Sequence, residues 1–219
     1  MKLRFKILIV LGFRCWLAVA AQQPLELFKG KDWSGWKSSQ SGGPVRWKMG
    51  AGFFEVVPGT GDIETEAVFN DFDLHAEFWV PFLPEKTGQD RGNSGIFLQG
   101  RYEVQILDSW NNESYLEGMC GALYKLIPPL VNMSLPPEQW QTYDIQFKAP
   151  RLDTNEVVVT PGEITVIHNG RVIIDRGLFE RGTGSAAKKK QGIPGPLRLQ
   201  DHGSAVRFRK LVLNPRDFR

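Results

Sequence analysis

The chain has 219 residues, a formal net charge of +3, 42% apolar residues, 11% aromatic residues and two cysteines. That length and composition suit one globular core, and two cysteines exclude a scaffold built on disulfides. The basic balance carries no argument for a nucleic-acid partner, because four of the basic residues lie within the first twenty positions.

Residues 1–20 have the layout of a secretory signal: Lys2, Arg4 and Lys6, an apolar run from Ile7 to Phe13, and Ala18-Val19-Ala20 as a small-residue cleavage site. Arg14 interrupts the apolar segment and, standing before Cys15, argues against lipoprotein-type cleavage there. Cleavage near Ala21 removes four basic and no acidic residues, so the expected mature chain carries −1 and leaves Cys120 without a partner. A periplasmic or secreted single domain over 21–219 is therefore expected. The signal is too short for a permanent anchor, and no later apolar run is long enough to predict a membrane span.

Strands and turns dominate the remainder. Trp33, Trp36 and Trp47 are expected in the core. From Phe72 to Val80 the even positions are all apolar, a period of two that predicts a strand with one core face and Trp79 on the polar one. The stretch Gly92 to Asp108 reads as two strands meeting at Gly100. Tyr102, Val104 and Ile106 share one face there, and Arg101, Glu103 and Gln105 share the other, with Asn93 and Gln99 on the opposite parity to Ile96 and Leu98. An amide row beside a carboxylate suits a hydroxylated ligand, and three nearby glycines allow close backbone approach; the plainer alternative is a solvated outer face.

Pro128, Pro129, Pro136 and Pro137 exclude a central strand over 127–137 and predict a stiff excursion near the site. Thr142 to Lys148 alternates again, and Ile164 to His168 and Arg171 to Asp175 flank Asn169-Gly170, a type I′ hairpin signal. Residues 181–196, with Lys188-Lys189-Lys190, read as a mobile surface loop. Arg198, Gln200 and His202 then share a parity opposite Leu197 and Leu199, and a bulge near Lys210 would reconcile Arg207 and Arg209 with Leu211 and Leu213. Many short strands with Gly and Pro punctuation predict an all-β, two-sheet sandwich.

His75, His168 and His202 lack zinc spacing among themselves or with Cys120, and there is no nucleophile elbow, P-loop or dinucleotide fingerprint. No cofactor is evident, although a divalent metal such as calcium, held by scattered oxygens, leaves no mark in a sequence. Cys120 between glycines reads as a packed residue. Trp79, Trp110 and Trp140 are the sugar-platform candidates.

The motifs GNSGIFLQGRYEVQILDSW (Gly92 to Trp110), CGALYK (Cys120 to Lys125) and QDHGSAVRFRKLVL (Gln200 to Leu213), with an opening LFKGKDWSGW (Leu27 to Trp36), occur in an order that resembles the 3-keto-disaccharide (3-keto-glycoside) hydrolase domain family. The resemblance spans nearly the whole mature chain and implies a concanavalin-like jelly roll. It also implies site roles for Gln200, His202 and Arg207; Lys210 stands where the family pattern has Asn, so no role passes to it.

The implied activity is cleavage of 3-keto-glycosides. A ketone at C3 acidifies the C2 proton, so a base removes it while the aglycone leaves C1 and water adds to the enone. Such a route needs a base, a donor to the C3 oxygen and an acid for the leaving group, and not paired carboxylates flanking C1. Glu103 or His202 is the expected base and Lys125 or Arg207 the electrophilic donor. Asn93, Gln99 and Gln105 are the expected hydroxyl contacts, and Trp79 a platform. Asp108 either touches substrate or braces its loop. The alternative class is a non-catalytic glycan-binding module on the same sandwich, with a carbohydrate partner in both cases.

Overall fold

The structure, a computed structural model, describes residues 23–216. The expected signal segment and cleavage point lie outside the described residues. Fifteen strands follow in order: β1 Leu25–Glu26, β2 Trp36–Ser38, β3 Lys48–Gly50, β4 Phe53–Glu55, β5 Ile63–Thr65, β6 Asp71–Trp79, β7 Ser94–Leu98, β8 Tyr102–Ile106, β9 Trp140–Lys148, β10 Arg151–Leu152, β11 Val158–Thr160, β12 Gly162–His168, β13 Arg171–Phe179, β14 Arg198–Leu199 and β15 Arg207–Arg216. Helical structure among the described residues is limited to three short 3-10 turns. None of it is long and apolar enough to cross a membrane.

Two antiparallel sheets form the sandwich. The larger runs β13-β12-β9-β6-β15-β4-β3, with β1 added beside β15; the smaller runs β2-β5-β14-β7-β8, and β10-β11 forms a separate hairpin. The period-two reading of β6 holds: Phe72, Leu74, Ala76 and Phe78 are all buried. In β15 the register slips between Arg209 and Val212, with Lys210 at φ 48°. That bulge turns Phe208, Leu211 and Leu213 inward while Arg207 and Arg209 face out. At Asn169-Gly170, φ values of 49° and 80° make the two-residue turn that joins β12 and β13.

Aromatic contacts join the layers. Tyr102 of the smaller sheet meets Phe147 and Phe179 of the larger at 5.3 and 4.8 Å between ring centres. Phe54 packs edge-on against Phe28 and Trp33, at 4.5 and 5.4 Å. Trp36 and Trp47 are buried beside it, as expected. Cys120 is also a packed residue, buried with its sulfur 3.0 Å from the Tyr143 hydroxyl, and burial pushes its thiol pKa up.

The segment 127–137 forms no strand and is tied down by Leu130 N to Ile173 O and by Asn169 Nδ2 to Met133 O. The segment 181–196 lies at the surface with Lys188, Lys189 and Lys190 exposed, as expected, but is anchored at several points. Thr183 and Ala186 are buried, and the Tyr102 hydroxyl donates to the Gln191 side chain.

His168 is fully buried with Nε2 2.9 Å from Gln141 Oε1, and burial lowers its pKa to about 3. The unfolded chain therefore takes up a proton near pH 6.5 that the fold refuses, so stability present above that pH is lost as pH falls toward 3. Between pH 6.5 and 5 this costs about 2 kcal/mol. Denaturant unfolding at a series of pH values should show the loss in the wild type, and His168→Asn should be weaker at pH 7 but flatter across that window. Parallel slopes would assign the acid sensitivity to other groups.

Candidate functional site

Strand alternation places a polar row on the outer face of the smaller sheet. Cross-strand register aligns Lys37, Glu64, Arg198, Phe97 and Glu103. Continuing that register, Asp62, Gln200, Gly95 and Gln105 form the next row. Such a row would ordinarily be solvated. Here the segments around 116–125 and 181–196 lie over it, leaving Glu103 5% and Gln105 1% exposed.

Both backbone polar groups of Glu103 are held: its N–H donates to Thr183 Oγ1 at 2.9 Å, and its carbonyl accepts from Tyr124 N at 3.0 Å. Its carboxyl lies over Gly95, where a Cβ would stand only 2.6 Å from Glu103 Oε1, so any larger residue there would displace the carboxyl. Turned with its nitrogen toward them, the Gln105 amide donates to Glu103 Oε1 and Ser94 O, both at 3.1 Å. Burial pushes the Glu103 pKa up to about 8; Arg198 and Lys125 oppose the shift and Asp62 adds to it.

Around that carboxyl stand several groups. The Arg198 guanidinium stacks 4.0 Å from the Phe97 ring centre, with Nε 3.7 Å from Asp62 Oδ2 and no hydrogen-bond partner. Asp62 accepts from Asp201 N at 2.9 Å, and its pKa is raised chiefly by burial. The Gln200 side-chain oxygen is buried without a donor, and Ser94 Oγ donates to the Gln200 carbonyl at 2.7 Å. His202 is exposed and lines a cavity of about 470 Å³ with Gln40, Gly59, Gly61, Asp201 and Gly203. On the far side Lys125, at φ 57°, lines a cavity of about 410 Å³ with Tyr115, whose hydroxyl is 2.7 Å from that of Tyr124.

Other expected site residues have partners within the fold. Asn93 Nδ2 donates to Gln89 O at 2.7 Å, and Gln99 Nε2 to Phe69 O at 3.1 Å, so both amides brace loops. Asp108 is a brace as well, 2.9 Å from Arg91 Nε and accepting from Trp110 N at 3.1 Å. Arg207 and Trp79 sit on the outer face of the larger sheet, across the core from Glu103: Arg207 lies 4.1 Å over Trp79 and 2.6 Å from Glu55 Oε2. Trp140 is covered in the same way by Arg209 at 4.0 Å. Strand parity reads which face of a strand a residue occupies, but not which sheet the strand joins.

Sequence reasoning passed over Asp62, Tyr115 and Tyr124. Arg198 was detectable from its parity with Gln200, whereas Asp62 reaches the site only through the pairing of β5 with β14. No group of three or more His, Cys, Asp or Glu side chains that could hold a metal occurs among the described residues.

The model of the 3-keto-alpha-glucoside-1,2-lyase-like domain matches residues 23–214. A crystal structure from Parabacteroides distasonis ATCC 8503, of a protein provisionally named a glycosyl hydrolase, is 39% identical with a TM-score of 0.83, covering 88% of this chain and 84% of that one. A second, similarly named protein from the same organism is 21% identical with a TM-score of 0.64, covering 89% and 94%, and shows the shared fold. Among curated proteins none matches.

Because Glu103 keeps its proton up to about pH 8, stability from that form is complete below about 4.5 and is lost as pH rises through 8. Glu103→Gln, a shape mimic of the protonated acid, should therefore gain on the wild type as pH rises from 4.5, by on the order of 3–5 kcal/mol at pH 9. Unfolding curves at pH 5, 7 and 9 test this; a constant difference between the two proteins would show that the carboxyl is not held protonated.

Proposed function

Because the chain belongs to the 3-keto-alpha-glucoside-1,2-lyase-like domain family, we propose that it cleaves 3-keto-glycosides by elimination across C2 and C1 followed by hydration. The observation that carries this reading is the buried Glu103 carboxyl, whose pKa of about 8 makes it a far stronger base than an ordinary carboxylate. In its deprotonated form Glu103 takes the C2 proton. The C2–H electrons form the C1=C2 bond and the C1–O bond breaks toward the aglycone. Charge that develops on the C3 oxygen during this step is met by Lys125 or Arg198, the cations that already act on Glu103. With Arg207 on the other sheet, the second donor role passes to Arg198.

The departing oxygen takes its proton from water, and Gln200, whose side-chain oxygen is buried without a donor, offers an amide contact to a sugar hydroxyl, while Gln105 holds the Glu103 carboxyl in place. Water then adds at C1 of the enone, and the proton held on Glu103 returns to C2. Both halves use one carboxyl, alternately base and acid.

Turnover of a 3-keto-glucoside against the same glucoside unoxidised tests the class: aglycone release from the oxidised form alone is expected, and saturable binding without turnover would favour a glycan-binding module. In the active enzyme, kcat/KM should rise with pH and level off above about 8, and Glu103→Gln should lower kcat about 10²–10⁴-fold. Deuterium at C2 should slow the wild type. Near-normal kcat in Glu103→Gln would move the base to His202.

The proposal places the enzyme in the periplasm or outside the cell, on the layout of Lys2 through Ala20. Mass spectrometry of the expressed protein should find an N-terminus near Ala21; an intact Met1 on a cytoplasmic product would refute export.

A further inference from the structure

Along the same face from Glu103 lies another cavity, of about 290 Å³, whose lining includes Ser39, Glu64, Gln99, Arg101, Lys189 and Arg198. Three of its lining residues are cationic and one is a carboxylate. That carboxylate is already engaged: Ser39 Oγ donates to Glu64 Oε2 at 3.0 Å, and Lys37 lies 3.6 Å from Oε1.

The cations are less well served. Arg101 is 6% exposed; it donates to Gln99 Oε1 at 2.7 Å and to Ile193 O, yet its Nε has no partner. Arg198 Nε is also unpartnered, with the Asp62 carboxylate beyond hydrogen-bond reach at 3.7 Å. Lys189 comes from the covering segment, and its charge is disfavoured by burial first and then by Arg198, with Glu64 and Asp62 opposing and Arg101 adding to the effect. A guanidinium cannot relieve such crowding by losing its proton.

The cavity is a built one. Thr183 N and Oγ1 both donate to Arg101 O, at 2.9 and 3.1 Å, which fixes the covering segment to the β7–β8 turn. On the other side Gly195 packs so closely that a Cβ would meet Gln99 O at 2.4 Å.

We propose that this cavity is a subsite for the acidic group of a glycan, a carboxylate or a sulfate ester, carried on a sugar adjoining the Arg198–Phe97 stack. The guanidinium groups of Arg101 and Arg198, both in the lining, meet the anion and Lys189 closes over it as a point charge. The subsite rests on this face being a glycan site, but not on the elimination chemistry.

Binding of glucose, glucuronate and glucose 6-sulfate to the full chain, followed by NMR titration, tests it. The acidic sugars should bind about tenfold or more tightly than glucose, and whichever of the two binds better identifies the group. The preference should shrink in about 0.5 M salt and in Lys189→Ala, and grow in Glu64→Gln. Arg101→Gln should abolish it, but that residue also anchors the covering segment. Lys189 is exposed and its removal leaves the anchors intact, so Lys189→Ala decides the matter if Arg101→Gln fails to fold. Equal affinity for the three sugars, no binding by either acidic sugar, or a preference untouched by Lys189→Ala overturns the subsite. None of these sugars has a ketone or a scissile bond. Turnover of neutral 3-keto-glycosides without acid preference would therefore sink this subsite alone, and acid-selective binding without turnover would sink the elimination reading alone.

Discussion

Removing one carboxyl from water sets the terms for the whole cleft. Glu103 stands on a sheet face that two loop segments cover, and the resulting desolvation outweighs the attraction of Arg198 and Lys125. A carboxyl in that position is useful chemically because it holds a proton at neutral pH and, once it loses it, attacks a carbon acid more strongly than a solvated carboxylate. The covering segments thus set the proton affinity of Glu103. Thr183 binds the Glu103 backbone and the Arg101 carbonyl together, so the loop that desolvates the carboxyl also places it.

The two outer faces of the sandwich are resolved in opposite ways. On the larger sheet every cation of the Arg207–Arg209–Lys210 stretch has a carboxylate, in Glu55 or Glu77, and the arginines lie over Trp79 and Trp140. Those stacked and paired groups have little left to offer a ligand. On the smaller sheet, Arg101 Nε, Arg198 Nε and the Gln200 oxygen are buried without partners. Buried polar groups are ordinarily satisfied, so these three are open to a polar partner, as is Asp73 Oδ1 on the larger sheet.

The core connects these faces. Tyr102 reaches from β8 to Phe147 and Phe179 on the inside, while its neighbours Arg101 and Glu103 face the cleft. A slip of one residue in β8 would exchange these roles, burying charge in the core and exposing the ring. Packing of the core and placement of the polar row therefore demand the same register.

Local chemistry was legible from the chain alone. Period-two alternation identified β6, β9 and the β7–β8 hairpin with the correct face of each, Asn169-Gly170 identified its turn, and the clash of parity after Arg209 identified the bulge at Lys210, because each signal depends on residues a few positions apart. Motif order supplied the family. What remained hidden was every property of non-local pairing: that β14 sits between β5 and β7, which brings Asp62 and Arg198 to Glu103, and that β6 and β15 belong to the other sheet, which sets Trp79 and Arg207 across the core from Glu103. The amides of Asn93 and Gln99 look from sequence like ligand contacts because an unsatisfied amide and one spent on a distant carbonyl have the same local pattern. Burial of the polar row was equally invisible, since it comes from segments remote in the chain, and only the folded arrangement decides whether a strand's polar face meets water or a covering loop.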